Sequence, residues 1–326
     1  MKPIEVGTAV STAPGVSHGS LNVGALPDGS PVDIPVIIVR GAADGPTLWL
    51  HGCVHGNEYC GTFIIHEFIR RLDPAQLSGT VVALPVLNRP AFQKNQRMSP
   101  FEGMGGGDLN RCFPGRADGS VTEQMGHAIY TALRQHADYL VDFHTAFTAD
   151  TRWALFADLG GEVSKKGLEM ARAFGFAHTL PAPKGILVGS SMMTAGAEGI
   201  PSFNVEAGGM GPAFTPEVVE DGAERLLNVA RQLGLLAGAV HDYGPLVLFS
   251  NFHWVCATQA GLYQPLVACG QKIEAGQVVG RYFDVFGESL GDAVAPSTGI
   301  ALAVHPGPIM ARGETLIHIG LDPRGD

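Results

Sequence analysis

The chain has 326 residues, 45% hydrophobic and 16% charged, which is enough to bury one large core and a smaller second one, so two domains are expected. Its formal charge of −10, from 31 acidic against 21 basic residues with no basic stretch, excludes a surface built for a phosphate backbone, and nucleic acid is not an expected partner. No run of about 20 apolar residues is present for a membrane helix, and the first residues lack a basic stretch followed by an apolar core, so the expectation is a soluble cytoplasmic protein without a membrane partner.

From residue 32 to about 238, short β-branched or apolar runs alternate with segments of helical period, the pattern of an α/β fold with a mostly parallel sheet flanked by helices. In chain order, the spacing predicts strands over 32–39 and 47–51, a helix over 58–72, a strand over 80–87 and a helix over 123–135. Strands follow over 139–144 and 153–156, then a helix over 162–174, a strand over 202–206 and a helix over 216–235. Thr215 is placed to cap the last helix, with Pro216 at its first position.

After Tyr243-Gly244-Pro245 the helical period vanishes, and short strands separated by glycine turns predict a small all-β domain. The expected division is an α/β domain over 1–243 and a β domain over 244–326. The rhythm of the second resembles a biotinyl- or lipoyl-type barrel, but the hairpin over 283–288 that would carry the modified lysine has none, so a structural or lid role is expected. Five cysteines form no C-x-x-C pair and read as reduced, partly buried thiols.

The strongest chemical signal is His51-Gly52-Cys53-Val54-His55-Gly56-Asn57-Glu58, between a predicted strand and a predicted helix. A His and a Glu three residues apart on such a loop can turn both donor atoms toward one cation, at the sheet edge where ligands of open α/β sheets bind. His144 ends a second predicted strand and supplies a third ligand, leaving a coordination position open for water. Glu206 ends a third, before Gly208 and Gly209 turn the chain away, and an unligated carboxylate there suits a general base. Between them lie Arg97 and Gly105-Gly106-Gly107-Asp108-Leu109-Asn110-Arg111, where the Arg111 fork and the Asn110 amide suit a substrate carboxylate.

The ordered set His55-x-x-Glu58, Asp108-Leu109-Asn110-Arg111, Asp142-Phe143-His144 and Val205-Glu206 resembles the succinylglutamate desuccinylase and aspartoacylase family, relatives of the zinc carboxypeptidases. The resemblance spans most of the chain, because larger bacterial members of that family also end in a small β domain. It implies a zinc-exopeptidase-like mixed sheet and one zinc ion held by His55, Glu58 and His144, with Glu206 as general base and acid. It also implies that Asn110 and Arg111 bind a substrate carboxylate, that Asp108 orients a ligand histidine, and that Arg97 polarises the scissile carbonyl. The activity implied is hydrolysis of the amide of a small N-acyl amino acid, first a short diamino or acidic one.

Alternatives stay open from the residues alone. His51 competes with His55 for the metal, Arg97 reads equally well as a surface charge, Asp142 as an orienting carboxylate or a loop cap, and Glu206 as a buried ion-pair partner. The remaining histidines, His305 and His318 among them, read as structural. Arg152, Trp153, Lys184, Met192 and Met193 are candidates for the side-chain pocket. Carboxypeptidase action on short peptides uses the same core. Two histidines and a carboxylate also describe a non-haem iron oxygenase, and a binding protein that lost catalysis is a third possibility. Self-association is expected, as for many soluble enzymes.

Overall fold

The computed structural model describes residues 3–102 and 107–325. Two short strands, β1 (Ile4–Val6) and β2 (Ala9–Ser11), form a ribbon that leads into β3 (Gly15–Ala25) and β4 (Pro31–Arg40). β5 (Ala43–His51), α1 (Cys60–Arg71), β6 (Ser78–Leu84), α2 (Arg89–Gln93) and α3 (Val121–His136) follow. The α/β part continues through β7 (Tyr139–His144), β8 (Arg152–Asp158), α4 (Gly161–Phe174), β9 (His178–Pro183), α5 (Ser191–Ala197), β10 (Ser202–Ala207) and α6 (Pro216–Gln232). The expected α/β architecture is present, with a sheet more mixed than its central strands suggest: β5, β6, β7 and β10 are joined in parallel, while β3, β4 and β8 enter antiparallel.

Several predicted ends move for identifiable reasons. The strand expected to reach residue 87 stops at Leu84, before Pro85, and Asn88 then accepts from Ala91 N to cap α2. The helix expected to reach 235 ends at Gln232, because Gly234 takes a positive φ of 77°. Thr215 does precede α6, but its side chain makes no capping bond.

α1, α4 and α6 cover one face of the sheet, where Ile64, Phe68, Phe143, Phe174 and Phe203 form the largest core. Gly61 lets α1 approach closely, since a Cβ there would lie 2.3 Å from Phe143 Cβ. α3 covers part of the other face through Met125, Ile129 and Leu133, packed with Trp49 and Leu140. Near β8 and β9 that second face meets the C-terminal strands instead.

Those strands are β11 (Val247–Leu248), β12 (Asn251–Cys256), β13 (Gly261–Pro265), β14 (Lys272–Ile273), β15 (Val278–Phe283), β16 (Ser289–Val294), β17 (Gly299–Val304), β18 (Ile309–Met310), β19 (Thr315–Leu321) and β20 (Arg324–Gly325). Two four-stranded antiparallel sheets, ordered β12-β19-β17-β14 and β16-β15-β13-β18, close around Val255, Tyr263, Tyr282 and Ile317. β11 and β20 join the edge of the large sheet beside β9. Ile300 and Leu302 of β17 pack on Trp153, Leu155 and Leu180, so the C-terminal strands sit over one end of the sheet. Among the described residues, no helix is long and apolar enough to cross a membrane.

Candidate functional site

The central strands run in the order β8-β10-β7-β5, and their registers set two rows of side chains on one sheet face. His144, Glu206 and Trp153 form the row at the carboxyl ends of β7 and β10. His51, Asp142, Asn204 and Leu155 form the row beneath it. Period-2 alternation puts these side chains on the face opposite the large core.

The loop after β5 completes the upper row. Cys53 takes a left-handed φ of 48°, which turns the chain sharply beyond the strand. Gly56 then presses on α2 so closely that a Cβ would lie 2.2 Å from the backbone of Ala91 and Phe92. The turn returns His55 and Glu58 to the sheet edge beside His144. His55 Nδ1 is 2.8 Å from Glu58 Oε1, and His144 Nδ1 is 3.0 Å from Glu58 Oε2. One ligand atom from each of the three lies within 4.8 Å of the others, and the residues are 2%, 1% and 3% exposed in chain order.

The donor set and its surroundings fit zinc: two imidazoles and one carboxylate, with room for a fourth ligand on the cavity side. Each histidine turns its other nitrogen to a carboxylate. His55 Nε2 is 3.2 Å from Asp108 Oδ1, and His144 Nε2 is 3.3 Å from Asp142 Oδ2. Such pairs fix the ring and its tautomer so that Nδ1 faces an ion. Asn110 Nδ2 also lies 3.3 Å from His144 Nε2, while Asn110 Oδ1 accepts from Ser191 N. His51 is not part of this group: it is fully buried, accepting from Trp49 Nε1 at 2.8 Å and bonded to Ser191 Oγ at 3.0 Å.

Charge is concentrated here. Burial alone would raise the Glu58 pKa, but His55 and His144 hold it well below the usual carboxylate range. Burial opposes protonation of His144, yet the neighbouring Asp142 and Glu58 carboxylates carry its pKa well above the ordinary value. At Asp108 burial is likewise overcome, by the His55 hydrogen bond and the Arg97 and Arg111 charges, and the pKa falls to about 2. Glu206 goes the other way: burial pushes it up to about 8, with Glu58 adding to the shift and His144 and Arg97 opposing it. Arg97 Nη1 donates to Glu58 Oε1 at 3.0 Å, and Arg111 Nη1 donates to the Asn110 carbonyl at 2.7 Å.

His55, Glu58, Arg97, Asp108, Asn110, Arg111, His144 and Glu206 all line one cavity of about 450 Å³. Gly107 is buried with a φ of 106°; Gly105 and Gly106 lie outside the described residues. Of the pocket candidates, Trp153 lines the cavity, whereas Met192 and Met193 are buried in the core beside it. Much of the remaining wall comes from residues to which sequence reasoning gave no chemical role: Asn204 from β10, Phe252 and Trp254 from β12, His318 from β19, and His305 and Glu314 beside the ends of β17 and β19. A lone histidine in a short strand carries no local signal; only the seating of Ile300 and Leu302 on the large sheet turns His318 toward this cavity.

Residues 44–233 match the family model described as the succinylglutamate desuccinylase/aspartoacylase catalytic domain. The chain is 31% identical over 292 residues to the N-alpha-acetyl-L-2,4-diaminobutyric acid deacetylase of Halomonas elongata, a match covering 84% of this chain and 81% of that one. Its structure is similar to a succinylglutamate desuccinylase/aspartoacylase from Rhodobacter sphaeroides, with a TM-score of 0.82 and 27% identity over 96% of this chain and 97% of the other. It shares its fold with the product-bound ectoine utilization protein EutE of Ruegeria pomeroyi, with a TM-score of 0.84 and 24% identity over 98% of both chains.

Proposed function

Because the chain belongs to the succinylglutamate desuccinylase/aspartoacylase family, we propose that it is a zinc-dependent amidohydrolase that removes the acyl group from a small N-acyl amino acid. The observation that carries this reading is the meeting of His55, Glu58 and His144 with the unligated Glu206 in one cavity. The deacetylase activity named for the Halomonas elongata relative supports amide hydrolysis as the reaction class. A small substrate is favoured over a peptide because residues of the C-terminal segment line the same cavity as the ligands and narrow it.

His55, Glu58 and His144 would hold the ion. When bound, zinc supplies Lewis acidity, which makes water a usable nucleophile near neutral pH and stabilises negative charge on the carbonyl oxygen. Asp108 and Asp142 keep the two imidazoles oriented toward it. Arg111, with Asn110 beside it, binds the substrate's α-carboxylate through its planar fork and so fixes the amide over the ligands. Burial keeps Glu206 protonated in the metal-free site, but a divalent cation beside it would favour the carboxylate. As carboxylate, Glu206 removes a proton from the attacking water as the oxygen bonds to the acyl carbon, and Arg97 donates a hydrogen bond to the oxyanion. Glu206 then delivers that proton to the nitrogen as the C–N bond breaks, releasing a carboxylic acid and a free amino acid.

The test is a panel of N-acyl amino acids and dipeptides assayed for the released acid, with and without a chelator, on the wild type and on Glu206→Gln. Chelator-sensitive deacylation, reduced at least 1000-fold in Glu206→Gln with zinc retained, is expected; full activity of the variant would remove Glu206 from the mechanism.

A further inference from the structure

The Asn110 amide is held in one orientation from behind. Its Oδ1 lies 3.0 Å from the backbone nitrogen of Ser191, and both residues are buried. A backbone N–H can only donate, so the amide turns its oxygen to Ser191 and its Nδ2 toward the cavity that Asn110 lines. His144 Nε2 is within reach of Nδ2, at 3.3 Å. That ring directs its Nε2 proton to Asp142 when Nδ1 faces an ion, so it offers Nδ2 no lone pair and leaves the amide hydrogens to the cavity.

A second bond pins Ser191. Its Oγ lies 3.0 Å from His51 Nδ1, and Trp49 Nε1 donates to His51 Nε2 at 2.8 Å. The indole N–H can only donate, which makes Nε2 the acceptor. Burial keeps the ring neutral, so its one proton sits on Nδ1 and is donated to Ser191 Oγ. The direction of every bond from Trp49 through His51 and Ser191 to Asn110 is thereby set. The two segments are tied again beside it: Phe113 N donates to the Gly189 carbonyl at 2.9 Å, and His51 stacks on Phe113 with ring centroids 6.4 Å apart. Trp49, His51 and Ser191 are all fully buried and lie outside the cavity lining, so they reach a substrate only through Asn110.

Orientation decides what Asn110 attracts, because the two ends of an amide have opposite polarity. Nδ2 donates to a carboxylate, whereas a flipped amide would set an oxygen against it and would accept from a neutral carboxamide instead. We propose that Ser191, supported by His51, is a positioning residue whose backbone N–H locks Asn110 with Nδ2 toward the substrate and so makes the site select an α-carboxylate over an α-carboxamide. The inference rests on the deacylase reading given above.

Ser191→Pro removes that N–H at the first position of α5, where proline is tolerated, and Ser190 before it already has the extended ψ of 153° that proline favours. Acetate release by the zinc-loaded enzyme is measured from the Nα-acetyl derivatives of L-2,4-diaminobutyrate, L-aspartate and L-alanine, each as the free α-acid and as the α-carboxamide. The acid hydrolysed fastest, with its carboxamide, is carried into the variants. The wild type should prefer the acid in kcat/KM by about 30-fold or more, and Ser191→Pro should shrink that preference by about tenfold or more. Ser191→Ala and His51→Leu keep the N–H and loosen only its support, so each should shrink it by roughly two- to fivefold. His51→Gln, which still donates to Ser191, should restore the wild-type ratio. Zinc affinity, from competition with a chromophoric chelator, should stay within about threefold of the wild type in every variant, because the ligands themselves are untouched. A ratio within one variant is unaffected by partial loss of folded protein. An unchanged ratio in Ser191→Pro overturns the inference, as does an unchanged ratio in both Ser191→Ala and His51→Leu should the proline variant not fold. A ratio that falls only together with zinc affinity, or a wild type that does not prefer the acid, overturns it too; each of these leaves the deacylase reading standing. No acetate from any of the six compounds sinks both.

Discussion

Asp142 Oδ2 lies 3.3 Å from His144 Nε2, and the two side chains stand on the same face of β7, one pleat apart. Asp142 is fully buried, and among the described residues neither carboxylate oxygen finds a hydrogen-bond donor of ordinary geometry, so the imidazole is its compensation. Asp142→Asn keeps the shape and removes the charge. Zinc affinity should fall 10- to 100-fold, as for other carboxylates behind ligand histidines. Competition with a chromophoric chelator measures this directly, and an unchanged affinity would reduce Asp142 to a packing residue.

Gly56 offers a second test, because it separates the loop from its chemistry. A methyl group there would lie 2.2 Å from the Ala91 and Phe92 backbone, and neither can move as a side chain tip would. Gly56→Ala must therefore lift the loop that carries His55 and Glu58. Metal content after dialysis and turnover should both drop at least tenfold, while circular dichroism shows the sheet and helices retained. Full zinc occupancy in the variant would mean that the loop relaxes without moving its ligands.

The sequence made the ligand positions readable because an ionisable residue at the end of an apolar strand is poor core material, and His144 and Glu206 both stand there. Helices α1, α3, α4 and α6 were visible from their apolar period, and α3 also carries a reciprocal Ser120/Glu123 capping box. β3 was missed because, as an edge strand, most of its side chains are at least partly exposed, and the period-2 signal fades. β9 was missed because Pro181 and Pro183 argue against a strand, although it pairs in parallel with β8. The cavity wall was hidden for a different reason. Asn204 and His318 are more than 100 residues apart, and nothing short of the docked C-terminal sheets brings them to one cavity.

His51 sets a pH prediction. It accepts from Trp49 Nε1, so its neutral form is the one the fold holds, and burial pushes its pKa down to about 4, with Asp142 only partly opposing. Above about pH 6.5 folded and unfolded states are both neutral there, and the residue adds no pH dependence. As pH falls from 6.5 toward 4, only the unfolded state takes up the proton, so stability is lost progressively, by about 3 kcal/mol in total. His51→Gln keeps an acceptor for Trp49 and a donor for Ser191 without titrating. Denaturant unfolding at pH 7.5 and 4.5 should show a smaller acid loss in the variant; equal losses would put the acid sensitivity elsewhere.

Removing the metal separates the site from the fold. The ligands are bonded to one another at 2.8 and 3.0 Å, Arg97 shares Glu58, and the large core does not depend on them, so the metal-free chain should stay folded. This differs from small zinc modules that unfold without the ion, because here burial elsewhere supplies the stability. An ion that binds only the folded state at 100 to 1000 times its Kd adds about 3–4 kcal/mol. For a chain of this length that corresponds to a Tm shift of roughly 4–6 °C. Exhaustive chelation should therefore abolish deacylation, lower Tm by that amount and leave the far-UV spectrum intact, with zinc restoring both losses. Activity and Tm that survive chelation unchanged would mean that His55, Glu58 and His144 form a buried ion-pair network and not a metal site.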